Sequence, residues 1–239
     1  MTSTRMDSTI ADADGLVAEL AAAIRSLPDK WLERPSRLPG WTKGHLLAHL
    51  VLMGDGVIRL LEGVEAQSPA KMYISAQARE ADIELHVKQS ASELADGLSS
   101  GWERVRAKVT NMPGETVDPV TLFSGRTLPW PELPDVVVAE YRMHWVDLDI
   151  GYEPDAWPNA FASDLHARAA GRWVNESAVA ATELYCLTCG PSGVIGQGAP
   201  KLQLTGSCQE LAAWLTGRSS GMSMGRIPRE QLPALPAWA

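Results

Sequence analysis

Apolar residues recur at helical spacing over about residues 10–27, where Ile10, Leu16, Val17, Leu20, Ala21, Ile24 and Leu27 share a face until Pro28 ends the run. A loop, PSRLPGW, follows, and Thr42 is placed to cap a second helix. That helix carries Leu46, Leu47, Leu50, Val51, Val57, Ile58, Leu60 and Leu61, with Gly63 near its end. A third helical stretch starts near Ser75 and runs through ISAQAREADIELHVKQS, and a fourth covers about Ser92 to Val109. VTLFSGRTLPW reads as a short hairpin turning at Ser124-Gly125 and closed by Pro129, Pro131 and Pro134. Asp135 or a neighbour then caps the apolar helix DVVVAEYRMHWVDLDIG, which stops at Gly151.

The pattern changes after EPDAWPNA, residues 153–160, a proline-punctuated connection that marks a domain boundary. Beyond it the sequence predicts a helix from about Ser163 to Glu183, a flexible loop (CGPSGVIGQGAP), a strand (KLQLTG), a helix (SCQELAAWLTG) and a Pro-rich tail. The expected architecture is mainly α and two-domain: a helical bundle over 1–152 followed by a small α+β unit over 160–239.

Composition narrows the function classes. The 239 residues are 45% hydrophobic and 21% charged, an ordinary globular balance that argues against disorder. A net charge of −8 disfavours a broad nucleic-acid surface, which needs clustered Lys and Arg. No apolar stretch reaches the roughly 18 residues of a membrane span. The first residues carry no basic segment followed by an apolar run, so no signal peptide is expected and the cytoplasm is the default setting. Three cysteines make no disulfide framework.

The strongest local signal is Glu140-Tyr141-Arg142-Met143-His144. Residues at i and i+4 lie on one helix face, so this carboxylate and imidazole can hold one divalent metal. The same spacing also serves a surface ion pair, but a buried unpaired Glu is costly, and Val136, Val137, Val138, Trp145, Val146 and Leu148 surround it with apolar chain. The second helix offers His45 and His49, again at i and i+4, as source of another imidazole. The core stripe through Leu46, Leu50 and Met53 favours His49, with His45 left as a second candidate near the helix start. Two His and one Glu suit zinc with an open fourth position, the catalytic arrangement.

Cys186-Leu187-Thr188-Cys189 is a C-x-x-C without the second Cys pair of a zinc ribbon or the βαβ frame of a thioredoxin site, since Cys208 is the only other cysteine. It is read as ordinary small core residues. Arg79, at a helix start, and Arg218, just after the penultimate helix, are either solvated charges or carboxylate clamps.

Gly40-Trp41-Thr42, with His45-Leu46-Leu47-Ala48-His49, resembles the second-helix signature of the DinB-like metal-binding bundles, and more closely the mycothiol-dependent maleylpyruvate isomerases. Met72-Tyr73-Ile74-Ser75-Ala76-Gln77-Ala78-Arg79, Gly125-Arg126-Thr127, Glu140 to Leu148 and Gly217-Arg218-Ser219-Ser220-Gly221 follow in the same order. The resemblance implies a DinB-like four-helix bundle with a C-terminal α+β domain, and one zinc per chain on His49, Glu140 and His144. It implies functional arginines Arg79 and Arg218, one from each domain, and mycothiol as cofactor. The implied reaction, in gentisate breakdown, converts maleylpyruvate to fumarylpyruvate by thiolate addition, bond rotation and elimination. Its partners are a small dicarboxylate and a low-molecular-weight thiol, with neither nucleic acid nor membrane; oligomeric state is left open. A mycothiol S-transferase that stops at the adduct, or a non-catalytic metal bundle, are the alternatives. Lowering a thiol's pKa by roughly two units raises its thiolate fraction about 25-fold, while reduced nucleophilicity takes back about eightfold. Zinc therefore contributes more by positioning the sulfur and easing its departure than by ionising it.

Overall fold

A computed structural model of the chain describes residues 3–112, 118–219, 221, 224, 232–236 and 238. It divides into two compact units, Met1–Ile150 and Gly151–Ala239. The first holds five helices among the described residues: α1 (Ser3–Arg25), α2 (Lys43–Glu65), α3 (Ala76–His86), α4 (Ala91–Asn111) and α5 (Leu133–Asp147). α1 and α2 each pack on both α4 and α5, which makes a four-helix bundle, and α3 packs against α2. The stripe Leu46, Leu50, Met53 and Val57 is buried, as are Leu16, Leu20 and Ile24 of α1. α2 and α4 approach backbone to backbone: a Cβ on Gly54 would lie 3.4 Å from the Cα of Gly101. No helix among the described residues is long and apolar enough to cross a membrane.

Side-chain caps set the helix starts. Thr42 begins α2 with a capping box in which His45 takes the place usually held by Glu. Ser90 does the same for α4 with Glu93, so the third helical stretch ends at His86 and not at Ser90. α5 starts at Leu133, two residues before Asp135. Pro134 is tolerated in a first turn, where its missing N–H has no partner to lose. The Asp135 carboxylate is taken instead by the Thr9 hydroxyl at 2.8 Å and the Arg5 guanidinium at 3.2 Å. The expected hairpin forms as β1 (Pro119–Thr121) and β2 (Thr127–Pro129), with Gly125 at φ +84° in its turn.

The second unit departs further from the sequence reading. α6 (Asn159–Trp173) stops ten residues short of the expected helix end, and β3 (Ala180–Cys186) occupies that stretch. The glycine-rich segment is not a flexible loop: it forms β4 (Gly190–Ile195) and the start of β5 (Gln197–Gly206). The sheet order is β4-β3-β5, with β4 antiparallel and β5 parallel to β3. Thr182, Leu184 and Cys186 alternate into the interior, the period-two pattern of a strand. Gly193 sits where the β3–β4 register shifts, at φ +95°. Gly196 lets the chain cross the start of β3; a Cβ there would lie 2.4 Å from the Val179 carbonyl oxygen. α7 (Cys208–Leu215) follows, capped by Ser207 with Glu210, and packs on α6. Residues 225–231 of the expected tail, and Ser220, lie outside the described residues.

Candidate metal centre

The start of α2 is clamped to the end of α5. The ammonium of Lys43, in the first turn of α2, donates to the Leu148 carbonyl and to that of Asp149 at 3.2 Å. These are carbonyls that the helix end leaves without intrahelical donors, and a cation there also matches the helix dipole. The Arg37 N–H donates to the Asp147 carbonyl at 2.7 Å. The clamp sets the level at which side chains meet. At 1.5 Å per residue, His49 lies about 9 Å along α2 from Lys43; on α5, His144 and Glu140 lie about 6 and 12 Å back from Leu148. His49 thus falls midway between the other two.

There the three side chains converge. Nε2 of His49 is 3.5 Å from Oε2 of Glu140, and Nε2 of His144 is 3.3 Å from the same oxygen. The imidazole rings meet edge to face with centroids 5.2 Å apart. One ligand atom from each residue lies within 4.8 Å of the others. Two imidazole nitrogens and a carboxylate oxygen are a borderline donor set suited to zinc, and three protein ligands leave a position open. His144 is oriented from behind: its Nδ1 is 2.9 Å from Oδ2 of Asp147, whose residue is 2% exposed. That contact fixes the tautomer, leaving Nε2 to face Glu140. His45, by contrast, is spent on its own helix. Its Nδ1 lies 2.7 Å from the Thr42 hydroxyl and accepts from the Thr42 N–H, and its Nε2 lies 3.2 Å from Glu84.

The electrostatics follow from burial and pairing. Burial pushes the Glu140 carboxyl upward, but hydrogen bonds from His144 and His49 outweigh it and hold the group far below the usual carboxylate range. Burial lowers the pKa of His49, so it stays neutral. Burial also works against protonated His144, but its contacts to Asp147 and Glu140 win and raise its pKa.

Arg79, near the start of α3, lies against this trio. Its Nη2 donates to Nδ1 of His49 at 3.1 Å and its Nη1 pairs with Glu80 at 2.8 Å. Its guanidinium carbon lies 5.5, 5.6 and 5.4 Å from the ring centroids of Trp41, Tyr73 and Phe123. Three rings at this range hold the cation by its attraction to their faces. Arg218, in the other unit, follows α7; its Nη1 donates to the Thr216 carbonyl at 3.0 Å, and it lines a surface cavity with Glu153, Asp155 and Glu210. Asp147 and the ring cage of Arg79 had no role in the sequence reading. The signal for Asp147 was its i+3 spacing from His144, on the same face; the cage, drawn from three separate segments, left none.

A model of the mycothiol maleylpyruvate isomerase N-terminal domain matches residues 13–149. Two solved structures, the mycothiol-dependent maleylpyruvate isomerase and a histidine-to-alanine mutant of it, superpose with a TM-score of 0.82. They are 19% and 18% identical to this chain, covering 96% of it and 98% of their own length. The shared fold is DinB-like and mainly helical, with a small sheet domain. No curated protein matches the chain significantly.

Proposed function

The chain belongs to the mycothiol maleylpyruvate isomerase N-terminal domain family, and from that premise we propose that it is a mycothiol-dependent cis–trans isomerase converting maleylpyruvate to fumarylpyruvate. The observation that carries the reading is the convergence of His49, Glu140 and His144 beside a caged arginine. His49, Glu140 and His144 would hold one zinc ion. Zinc and mycothiol, when bound, would supply a thiolate nucleophile whose reversible addition lets the double bond rotate.

The chain's own residues do the rest. Asp147 holds the Nδ1 side of His144 and so would leave Nε2 for the metal. Glu140, held ionised, supplies the negative charge of the donor set. A histidine that gives Nε2 to a cation carries its proton on Nδ1, and then no longer accepts from Arg79. The Nη2 donor of Arg79 would then be available to a substrate carboxylate, while the rings of Trp41, Tyr73 and Phe123 keep the guanidinium in position. Arg218 is proposed as the partner of a second carboxylate, on the strength of the family resemblance. Arg79 would also stabilise the enolate that develops on conjugate addition.

Incubating the zinc-loaded protein with maleylpyruvate, with and without mycothiol, tests the reading. Fumarylpyruvate forming only with both thiol and metal supports it. Accumulation of a stable thiol adduct would make the protein a transferase, and no turnover of maleylpyruvate under any condition would overturn the isomerase assignment.

A further inference from the structure

The second unit gathers a cluster that the isomerase reading does not use. Cys186 ends β3, Cys189 lies in the turn before β4, and Cys208 opens α7. β3 and β5 run parallel with Cys186 paired to Gly206, which brings Cys208, two residues on, to the Cys186 end of the sheet. The Sγ atoms of Cys186 and Cys208 lie 2.8 Å apart, and those of Cys189 and Cys208 lie 3.2 Å apart. All three cysteines are free. His166, in the middle of α6, joins the two buried thiols: a ring nitrogen and the Cys186 and Cys208 sulfurs lie within 4.8 Å of one another, while the exposed Cys189 stands at the edge of that trio, beside Cys208, and has to turn inward to become a fourth ligand. His166 is 3% exposed, and its buried Nε2 has no hydrogen-bond partner among the described residues. An imidazole so placed costs free energy unless something takes its lone pair or its proton.

We propose that His166, Cys186, Cys189 and Cys208 form a second metal site, a closed tetrahedral zinc centre that fastens α6, the β3–β4 turn and α7 together. Three thiolates and one imidazole leave no position open, which is the structural form of a zinc site. The turn already has a ligand-pair geometry, since the Cys189 N–H donates to Sγ of Cys186 at 3.4 Å. Zinc at about 2.3 Å from each sulfur sets tetrahedral donors roughly 3.7 Å apart, so Cys186 and Cys208 need to part by about 0.9 Å. Burial lowers the pKa of His166 and keeps it in the neutral form that ligates. Burial, followed by the neighbouring thiols, pushes the Cys208 thiol up to about 12, so without a cation it carries its proton. Loading releases the thiol protons to solvent and leaves the centre with one net negative charge. The sequence hid the site because a C-x-x-C normally seeks a second Cys pair; here one Cys and one His arrive from two other elements.

Cobalt titration of the chelated full-length chain tests this, because only thiolate ligands give an intense charge-transfer band and the His49 centre has none. Wild-type protein should take up about two ions per chain, one with the band. His49→Ala should keep the band and lose the other ion, while Cys208→Ser and His166→Ala should lose or strongly weaken the band and keep the ion at His49. If those variants fail to fold, thiol alkylation of wild type gives the answer: the exposed Cys189 should be modified readily in chelated protein and be protected once zinc is restored. A loaded wild type without the band, equal Cys189 reactivity in both states, or an intact mass short of two hydrogens from a Cys186–Cys208 disulfide would each overturn the proposal.

Discussion

The two units hold ligand clusters of opposite character. In the helical unit, His49, Glu140 and His144 offer two nitrogens and one oxygen, with Glu140 partly open to solvent and a caged arginine alongside. In the C-terminal unit, His166 lies with the buried sulfurs of Cys186 and Cys208, and the exposed Cys189 is beside them, so most of the donors are soft. Three borderline ligands suit an ion that must still accept a reactant; three soft thiolates with one imidazole suit an ion whose task is cross-linking. The support differs as well. The helical cluster sits on two long helices locked by the Lys43 clamp. The cysteine cluster draws on α6, the end of a seven-residue strand, a turn and an eight-residue helix.

The sharpest way to break this contrast is Glu140→Ala. It should abolish metal uptake at the helical centre and with it turnover, while metal analysis still finds the thiolate-bound ion. Full zinc occupancy at both sites in that variant would remove Glu140 from the ligand set. Arg79→Ala comes next. Hydrogen bonds to a charged group contribute about 1.5–3 kcal/mol, so kcat/KM should fall by roughly 10- to 150-fold with zinc content unchanged. Arg79→Lys should recover only part of this, since Lys lacks the planar fork. Arg218→Ala is expected to behave like Arg79→Ala, and wild-type kinetics in a folded Arg218→Ala variant would return Arg218 to a structural role.

Asp147→Asn should act on the helical centre alone. An oriented second partner of a ligating His contributes about 10- to 100-fold in metal affinity, so competition titration should read a loss of that size, with the thiolate band untouched. The smallest effect is the pH slope of zinc uptake at the helical centre. His144 has a raised pKa, so below that value uptake must expel its proton; His49, lowered by burial, has none to give. Affinity should therefore climb by up to about tenfold per pH unit as pH rises towards the raised value, then flatten. An affinity independent of pH across the histidine range would mean that His144 is already neutral.

The sequence by itself determined the helical unit in most of its detail. Regular apolar spacing placed the bundle helices, Thr42 marked a cap, and the i, i+4 pair put Glu140 and His144 on one face whatever else the chain did. Helices are local: hydrogen bonds and face periodicity both act within a few residues, so the pattern of residues carries them. Even the choice of His49 over His45 had a local reason, since His45 is drawn to the Thr42 cap. Tertiary structure decided what depends on partners distant in sequence. Pairing with β3 on both sides made strands of a glycine-rich segment that has little strand propensity of its own. The boundary between α6 and β3 was likewise lost to a helical reading, because strand hydrogen bonds come from elsewhere in the chain. The cage of Trp41, Tyr73 and Phe123 around Arg79, and the meeting of His166 and Cys208 with the C-x-x-C, follow from packing and parallel register, which no spacing within one segment encodes.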